Sequence, residues 1–448
     1  MRYTPHTDEE IRLMLDAVGA GSVEQLFRSI PDEIQQAAEA IELPRPLSEM
    51  EAASEARELA SSNYDPTRAV SFLGGGAYDH YIPAAIDQLL LRSEFYTCYT
   101  PYQAEVSQGT LQAIYEYQSM VIQLTGMEIA NASGYDGASV CADAVLMASA
   151  IKKKRNRVLI SGALNPAYRK TVETYNLDGA STVEMLPADN GATDLAALEQ
   201  ALDEDVACVL VQSPNFFGVV ENLDEVVRLA HEAGSLVAVA GCPIALGVLK
   251  SPGEAGADIA MGEGQPLGVP LSYGGPYLGY FATRNKFKRQ LPGRLVGMTE
   301  DDRGQSGYVL TLQTREQHIR REKATSNICT NQSLLALAAT IHLSLLGKKG
   351  MRTVAELCVQ KAHYLADKIS ALAGWELAWP NAPFFREFAV VPKVAPSTVI
   401  EKLLEQDMLA GIDLGKLDPL QDGKLLIAVT EQRTKKQMDA LVEALAGL

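Results

Sequence analysis

The chain has 448 residues, which allows roughly two to three domains and a substantial hydrophobic core. Its composition, with 47% hydrophobic and 21% charged residues, is ordinary for a globular protein. A formal net charge of −17 argues against nucleic acid or an anionic membrane as the main partner, because phosphate-rich surfaces select basic faces.

The cysteines, the histidines and the N-terminus exclude further classes. None of the six cysteines forms a CxxC pair, which suits reduced thiols in a cytosolic protein better than a disulfide framework or a zinc site. The six histidines contain no HExxH motif, so a metal hydrolase has little support and no metal site is predicted. The N-terminus lacks the apolar core of a targeting segment, and no apolar stretch is long enough to span a bilayer. We therefore expect a cytoplasmic protein.

Residues 1–65 predict an arm of three short helices. Three pairs of residues have the spacing of a capping box, in which a hydroxyl and an acidic or amide side chain satisfy free amides at a helix start. The pairs are Thr7 with Glu10, Ser22 with Gln25, and Ser48 with Glu51. Three small helices cannot make much of a core alone, so we expect the arm to lie on the main body or on a partner.

An aromatic segment precedes the first long helical pattern. Residues 95–109 contain four aromatic side chains within eight residues, mixed with hydroxyls, an amide and Pro101. Tyrosines in such a setting give an apolar wall with polar tips. They either line a pocket or an interface or only pack the loop, and residue type alone leaves both interpretations open.

Residues 66–330 alternate strand-like and helical patterns. The strands are predicted at residues 157–160, 182–186, 206–211, 235–240, 257–261 and 277–282. Between them lie helical patterns, one of which is capped by Asp194. Strands that alternate with helices of this length indicate an α/β fold with a mostly parallel sheet covered on both faces. This is the predicted large domain.

A basic segment follows the last of these strands. Residues 314–331 read TREQHIRREKATSNICTN, and a charge run of this kind is usually a solvated helix face with internal Arg–Glu pairs. Against that interpretation stand Thr325, Ser326 and Asn327, which lie just beyond the charges and between two helical stretches. Residues 331–448 then predict a small C-terminal α/β domain.

Two Gly-rich turns are the candidates for binding a ligand. No GxxxxGK[ST] motif, no GxGxxG after a strand and no GxSxG motif is present, which disfavours nucleotide binding and serine hydrolysis. Residues 131–139 form a Gly- and Ser-rich turn before a helix and are the best phosphate cradle, although alone the signal is weak. Residues 262–280 form a second Gly-rich loop after a buried strand, and residues 251–285 contain no lysine.

The order of these parts resembles the fold-type-I enzymes that use pyridoxal phosphate, in which the second loop carries the Schiff-base lysine. Five motifs together resemble the glycine decarboxylase P-protein family, and the resemblance covers nearly the whole chain. They are residues 99–109 (YTPYQAEVSQG), 262–265 (GEGQ), 274–276 (GGP), 291–297 (LPGRLVG) and 325–332 (TSNICTNQ).

The resemblance implies a function. A member of this family decarboxylates glycine with pyridoxal phosphate in the glycine cleavage system and passes the aminomethyl group to the lipoyl arm of H-protein. The length and the missing lysine fit the alpha subunit of the two-subunit form. A beta subunit would then carry the cofactor lysine in an α2β2 assembly, and this chain would be inactive alone, with no catalytic lysine and no covalent cofactor.

The residues of this chain agree with that implication. Glu263, Gly264 and Gln265 stand where a His–Lys pair would be expected. The strand that should supply an acid to the pyridinium nitrogen reads VAGCP at residues 239–243, without a carboxylate. Two essential groups are missing together, so this subunit should not bind the cofactor productively by itself.

The resemblance also suggests which residues reach the partner's active site. In the related cysteine desulfurases a Thr-containing turn from the neighbouring subunit touches the cofactor phosphate, so we assign Thr325, Ser326 and Asn327 to the phosphate held by the beta subunit. Arg294 would hold the glycine carboxylate or an interface acid, with a structural salt bridge equally open. The candidates for the shared pocket or the lipoyl channel are Tyr99, Tyr102, Gln103 and Glu105.

Two alternatives remain open from the sequence. The chain would be a self-sufficient pyridoxal-phosphate enzyme if another residue, such as Lys250, supplied the Schiff base, but Lys250 comes before the expected strand rather than after it. The other alternative is a non-catalytic scaffold that shares no active site.

Overall fold

The computed structural model describes residues 6–64, 69–177, 179 and 181–448. The chain divides into two compact units, Met1–Tyr64 and Asp65–Leu448. The predicted boundary between residues 65 and 66 falls outside the described residues, and the division into three domains stays a prediction.

The first unit contains three short α-helices and one 3-10 helix. These are α1 (Asp8–Val18), a 3-10 helix (Glu24–Phe27), α2 (Asp32–Glu39) and α3 (Glu49–Ser61). None of the three α-helices contains a buried residue.

The capping boxes of this unit are confirmed at two of the three predicted places. Thr7 caps α1 and Ser48 caps α3, each with the reciprocal glutamate contact. The box predicted at Ser22 is wrong, because no side chain caps the 3-10 helix there. The side chain of Gln25 accepts instead from the amide of Gly21 at 2.8 Å.

The second unit contains the remaining helices and all the strands of the described chain. Its α-helices are α4 (Ala85–Leu90), α5 (Ser93–Tyr96), α6 (Gln108–Thr125), α7 (Gly137–Ile151), α8 (Pro166–Tyr175), α9 (Leu195–Ala201), α10 (Leu223–Glu232), α11 (Gln317–Arg320), α12 (Ser333–Ser370), α13 (Pro396–Leu404) and α14 (Lys435–Ala446). Its strands are β1 (Val70–Ser71), β2 (Ile129–Ala130), β3 (Arg157–Ser161), β4 (Thr182–Leu186), β5 (Val206–Ser213), β6 (Leu236–Gly241), β7 (Ile259–Glu263), β8 (Gly279–Thr283), β9 (Val296–Glu300), β10 (Ser306–Leu310), β11 (Glu376–Leu377), β12 (Glu387–Val391), β13 (Met408–Leu409), β14 (Ile412–Asp413) and β15 (Leu425–Ala428).

A seven-stranded sheet forms the centre of this unit, in the order β2-β8-β7-β6-β5-β3-β4. The five strands from β7 to β4 are parallel, and β8 runs antiparallel to both of its neighbours. The parallel strands are apolar along most of their length because helices cover both faces. Residues of α6, α10 and α12 pack on one face, and residues of α7 and α8 pack on the other. The predicted parallel sheet covered on both faces is confirmed.

The C-terminal part forms a second sheet of four strands, in the order β11-β12-β15-β14. All three pairings are antiparallel, and α13, α14 and the second half of α12 pack against it around a core of its own. The helix α12 breaks at Gly347, where φ is 59°. Strand β1 pairs in parallel with β13, so the start of this unit joins its C-terminal part.

The basic segment is not one helix. Residues Gln313–Arg315 form a 3-10 turn, α11 is only four residues long, and Arg321 has a φ of 54° between α11 and the next turn. The interpretation of this run as a solvated helix face, and as a basic helix before Thr325, is therefore wrong. Among the described residues, no helix is both long and apolar enough to cross a bilayer.

Candidate functional site

Strand β7 ends in a glutamate, Glu263. The resemblance to pyridoxal-phosphate enzymes implies a lysine close to this position. The carboxylate of Glu263 accepts three backbone hydrogen bonds, from Gly137 at 2.9 Å, Gln265 at 2.9 Å and Leu278 at 3.0 Å. Burial raises the pKa of Glu263 to about 7, and the three amides oppose that rise. The group is therefore built into the fold as an acceptor.

Gln265 also has a structural role. Its side-chain oxygen accepts from the amide of Tyr78 at 2.9 Å, and its nitrogen donates to the carbonyls of Tyr78 at 3.0 Å and Val269 at 2.8 Å. These bonds tie the loop after β7 to Tyr78, two residues after the Gly-rich stretch at residues 74–76. Gln265 is 2% exposed and is not available to a ligand.

The opposite wall comes from β12 and residues near Tyr78. The guanidinium of Arg386 lies 3.3 Å from the centroid of the Tyr78 ring. The Tyr78 hydroxyl donates to Glu387 at 2.6 Å, and the same carboxylate accepts from the amide of Gly75 at 2.7 Å. Burial raises the pKa of Tyr78 and of Glu387. These groups satisfy one another and leave little polar capacity for a ligand.

Pyridoxal phosphate does not fit between these walls. The cavity lined by Tyr168, Glu263 and Arg386 has a volume of about 30 Å³. That is room for one or two waters, whereas ligand sites usually measure roughly 300 Å³ or more. Strand β6 ends in Gly241 followed by Cys242, so the end of this strand supplies no carboxylate to the cavity. Lys250, the alternative anchor, pairs instead with Asp224 at 2.5 Å.

The predicted phosphate cradle is taken up by the protein itself. Asp136 caps α7 by accepting from the amide of Ser139 at 2.7 Å, and Glu263 accepts from the amide of Gly137. Two carboxylates therefore occupy the first turn of α7, where free amides would otherwise attract an anion.

A buried cluster beside this cavity has the residue types of a metal site. Ligand atoms of His80, Cys358 and Glu431 lie within 4.8 Å of one another. Arg386 contacts Nε2 of His80, and a guanidinium can only donate, so Nδ1 carries the proton and donates to Glu431 at 2.6 Å. Burial would raise the pKa of Glu431, but the His80 and Tyr81 hydrogen bonds hold it at about 2. The cluster is a hydrogen-bond network.

The structure places the predicted phosphate-binding residues on the surface of this chain, beside α7 and α8. Thr325 and Ser326 are half-buried and Asn327 is exposed. Ser326 hydrogen-bonds to the buried carboxyl of Asp143, and Asn327 lies 3.5 Å from the hydroxyl of Tyr175. Within the described chain, the hydroxyl of Thr325 makes no hydrogen bond. Their assignment to a neighbouring subunit stays a prediction.

Arg294 lies beneath the predicted pocket rather than in it. It is 4% exposed, donates to the hydroxyl of Thr100 at 3.3 Å and pairs with Glu316 at 3.7 Å. Its guanidinium lies 5.7 Å from the centroid of the Tyr102 ring. These contacts hold the aromatic loop against the 313–320 segment, as expected of a structural salt bridge.

The other predicted pocket residues are on the surface. Tyr99 and Tyr102 are exposed and meet edge to face with centroids 6.4 Å apart. Gln103 and Glu105 are exposed as well. The structure thus brings Tyr99, Tyr102 and Arg294 together, and Tyr99 also lines a small cavity of about 70 Å³ beside α6.

Buried polar atoms without a hydrogen-bond partner gather around residues 291–332, and the sequence did not predict this cluster. In the described residues nine such atoms occur; four of them lie within the 291–332 segment and two more lie beside it, on Asn131 and Asp143. These residues are Asn131, Asp143, Arg315, Glu316 and Asn331. Asn131 and Arg315 each donate to one of the adjacent carbonyls of Leu291 and Pro292. The polar character of residues 314–331 was the only sequence signal for this cluster.

The comparisons with known proteins agree with one another. The model of the glycine cleavage system P-protein family matches residues 1–445. The chain belongs to the glycine cleavage system P-protein family. The predicted family is therefore confirmed.

Several P-protein relatives match along their whole length. "Probable glycine dehydrogenase (decarboxylating) subunit 1" of Desulforamulus reducens is 50% identical over 448 residues, which is 100% of both chains. The protein of the same name from Prosthecochloris aestuarii is 53% identical over 450 residues, again covering 100% of both.

Solved structures support the P-protein fold. A crystal structure of glycine decarboxylase (P-protein) of the glycine cleavage system, in inhibitor-bound form, has a TM-score of 0.93 at 44% identity and covers 100% of both chains. A sphingosine-1-phosphate lyase from Burkholderia pseudomallei has a TM-score of 0.66 at 16% identity, covering 91% of this chain and 92% of its own, and shows the fold alone. The predicted fold type I is confirmed.

Proposed function

We propose that this chain is the alpha subunit of a heteromeric glycine decarboxylase in the glycine cleavage system, inactive without its partner. Full-length similarity to proteins named subunit 1 of glycine dehydrogenase (decarboxylating) supports this function. The name subunit 1 implies a partner subunit. The proposed partner is a beta subunit in an α2β2 assembly, and the proposed acceptor of the aminomethyl group is lipoyl H-protein.

One observation carries the proposed division of labour. In this chain Glu263 and the Tyr78–Arg386–Glu387 group line a cavity of only about 30 Å³. We therefore propose that the lysine and the bound pyridoxal phosphate belong to the beta subunit. Bound there, the cofactor supplies the electron sink for loss of the glycine carboxylate.

This chain's contribution is proposed to come from residues 325–327. The Thr325 hydroxyl, free within the described chain, would donate to the cofactor phosphate on the beta subunit. Ser326 and Asn327 would hold the segment in place through Asp143 and Tyr175.

The aromatic surface is proposed to line the shared pocket or the channel for the lipoyl arm. Tyr99 and Tyr102 offer exposed rings, and Gln103 and Glu105 offer exposed polar groups beside them. Arg294 is a positioning residue in this proposal, because its charge is already paired with Glu316 under the loop.

We propose the same three-part organisation as the sequence suggests, with an arm at 1–65, a large domain at 66–330 and a small domain at 331–448.

The first test uses the chain alone. The purified chain is mixed with pyridoxal phosphate, its visible absorbance is recorded, and borohydride reduction is followed by mass analysis. We expect no cofactor band and no stoichiometric adduct, because Glu263 and its neighbours fill the site. A stable adduct on a single lysine would make the chain a self-sufficient enzyme and overturn the proposal.

The second test uses the reconstituted complex and separates a shared active site from a scaffold. Thr325→Ala removes one hydrogen bond to the phosphate, which is worth about 1.5 kcal/mol or roughly tenfold in cofactor affinity when the acceptor is charged. Thr330→Ala, an exposed threonine of the same segment, is the matched control. Equal cofactor affinity and equal decarboxylation rates in both variants would favour the scaffold.

A further inference from the structure

The second unit contains a cavity that is large enough for a small organic molecule. Its volume is about 410 Å³, within the range of roughly 300–1,000 Å³ that is usual for ligand sites. The residues that line it come from the loops after β6 and β7, the loop before α4, the helix α12 and the turn after β15. A molecule bound there would therefore contact segments that follow strands of both sheets.

Glu431 gives this cavity its charge. One carboxylate oxygen, Oε1, accepts from the amide of Tyr81 at 2.7 Å, and the other accepts from His80 at 2.6 Å. Because a carboxylate oxygen can accept two hydrogen bonds, Oε1 keeps one free position. Lys361 donates to the backbone carbonyl of Glu431 but does not line the cavity, and the wall contains no lysine or arginine.

The two histidines of the wall are neutral near pH 7. Burial lowers the pKa of His80, and both of its ring nitrogens have partners. Burial also lowers the pKa of His342, to about 4. His342 is 3% exposed, its Nδ1 is buried without a partner, and within the described chain its Nε2 makes no hydrogen bond either. Since buried polar groups are nearly always paired, this ring has hydrogen-bonding capacity left for a molecule in the cavity.

The rest of the wall combines one more acceptor with an apolar surface. The side-chain nitrogen of Gln432 donates to Asp79, whereas its side-chain oxygen accepts no hydrogen bond from the described residues. The ring of Tyr81 is largely exposed, so the cavity reaches the surface there. An aromatic ring, a carboxylate and an amide oxygen all attract a cation. The remaining lining residues are apolar: Pro83, Ile244, Pro266, Leu346 and Val354.

We propose that this cavity binds a small apolar ammonium ion, an amine that carries an aryl or branched-alkyl body. The ammonium group donates to Glu431, Gln432 and His342, and the body lies against the apolar wall. A carboxylate on the ligand would meet Glu431 and no cation, so glycine and other amino acids do not match the site. This inference goes beyond the proposed function, because the cavity lies within this chain and does not depend on where the partner's cofactor lies.

The test measures binding of phenethylamine to the full-length chain without pyridoxal phosphate. Phenethyl alcohol and hydrocinnamate carry the same ring with a neutral and a negative head group, and they serve as comparators. Leu346→Trp fills the cavity, and Leu345→Trp, at the neighbouring exposed position of α12, is the matched control. Binding is measured by equilibrium dialysis, and the melting temperature reports the stabilisation that binding gives.

We expect the wild type and Leu345→Trp to bind one phenethylamine per chain, with a saturable rise in melting temperature, and Leu346→Trp to bind none. The alcohol and hydrocinnamate should bind the wild type at least about tenfold more weakly, because neither offers a cation to Glu431. If the wild type showed no saturable binding of the amine, or if folded Leu346→Trp bound it as well as the wild type, the proposal would be overturned.

Glu431→Gln gives a second test that does not depend on filling the cavity, and it decides the matter if Leu346→Trp does not fold. This variant should bind phenethylamine about tenfold more weakly and phenethyl alcohol as before, because only the amine uses the charge. A merely structural role of Glu431 would change both affinities alike. An equal change in both affinities, or no change in either, would overturn the proposal.

Discussion

Asp143 lies inside α7, and its charge is predicted to make the chain less stable as the pH rises. The side chain is 1% exposed and one of its oxygens has no hydrogen-bond partner. Burial raises its pKa from 3.8 to about 7, against a lowering contribution from the hydroxyl of Ser326. The folded chain therefore binds this proton more tightly than the unfolded chain does.

The magnitude follows from the linkage between proton binding and folding. Between pH 3.8 and about 7 the folded state holds the extra proton, so the free energy of unfolding falls as the pH rises and then becomes constant. A rise of about three pH units at about 1.4 kcal/mol each corresponds to about 4 kcal/mol. Asp143→Asn cannot ionise and should lose this pH dependence.

The assay is urea unfolding of the wild type and Asp143→Asn from mildly acidic to mildly alkaline pH. The free energy of unfolding of the variant, relative to the wild type, should increase by up to about 4 kcal/mol across this range. Other titrating groups cancel in the difference. Asp302→Asn, at an exposed position after β9, is the control. Parallel curves for the wild type and Asp143→Asn would refute the reasoning.

Four further substitutions, of which Gly304→Ala is the control for Gly218→Ala, test other parts of the structure. Gly218→Ala would place a Cβ 1.9 Å from a backbone carbonyl oxygen at a φ of +85°, and should cost more than about 3 kcal/mol by urea unfolding. Gly304→Ala, where φ is +74° and nothing lies within 4 Å, should cost about 1 kcal/mol. The lowered pKa of Glu431 gives stability that is present above pH 4.5 and lost as the pH falls towards about 2, so Glu431→Gln should flatten acid unfolding over that range. Arg294→Gln leaves the buried Glu316 with only the His318 ring, 3.6 Å away, as a basic neighbour, and should cost about 3 kcal/mol. Full stability with a raised KM for glycine would show that Arg294 binds substrate instead.

The elements of the large sheet could be predicted because their signals are local. β5 and β6 are buried on both sides and therefore read as unbroken apolar runs. The caps at Thr7 and Asp194 are set by residues two or three positions away. The missing lysine was visible for the same reason, since it depends on one stretch of sequence alone.

The site could not be predicted in the same way because its contacts join distant residues. Glu263 is explained by the amide of Gly137, and Arg294 by Glu316, which belongs to a segment whose helices are too short to leave a periodic pattern. The capping box predicted at Ser22 is wrong for a local reason. Its spacing was right, but the Gln25 side chain accepts from the amide of Gly21 and not from that of Ser22, and the helix that follows is a 3-10 helix.

The pairing of β1 with β13 affects how the chain folds during synthesis. Val70 leaves the ribosome early, but its partner Met408 is more than 300 residues further along. Phe72, which follows β1, is fully buried in the core of the C-terminal part and must wait for the same residues. Closing so long a loop is slow, and the waiting strand exposes unpaired backbone and apolar side chains. The strand β1 and Phe72 can therefore reach their folded positions only after the C-terminal part has been synthesised. A nascent chain stalled before residue 408 would be prone to aggregate.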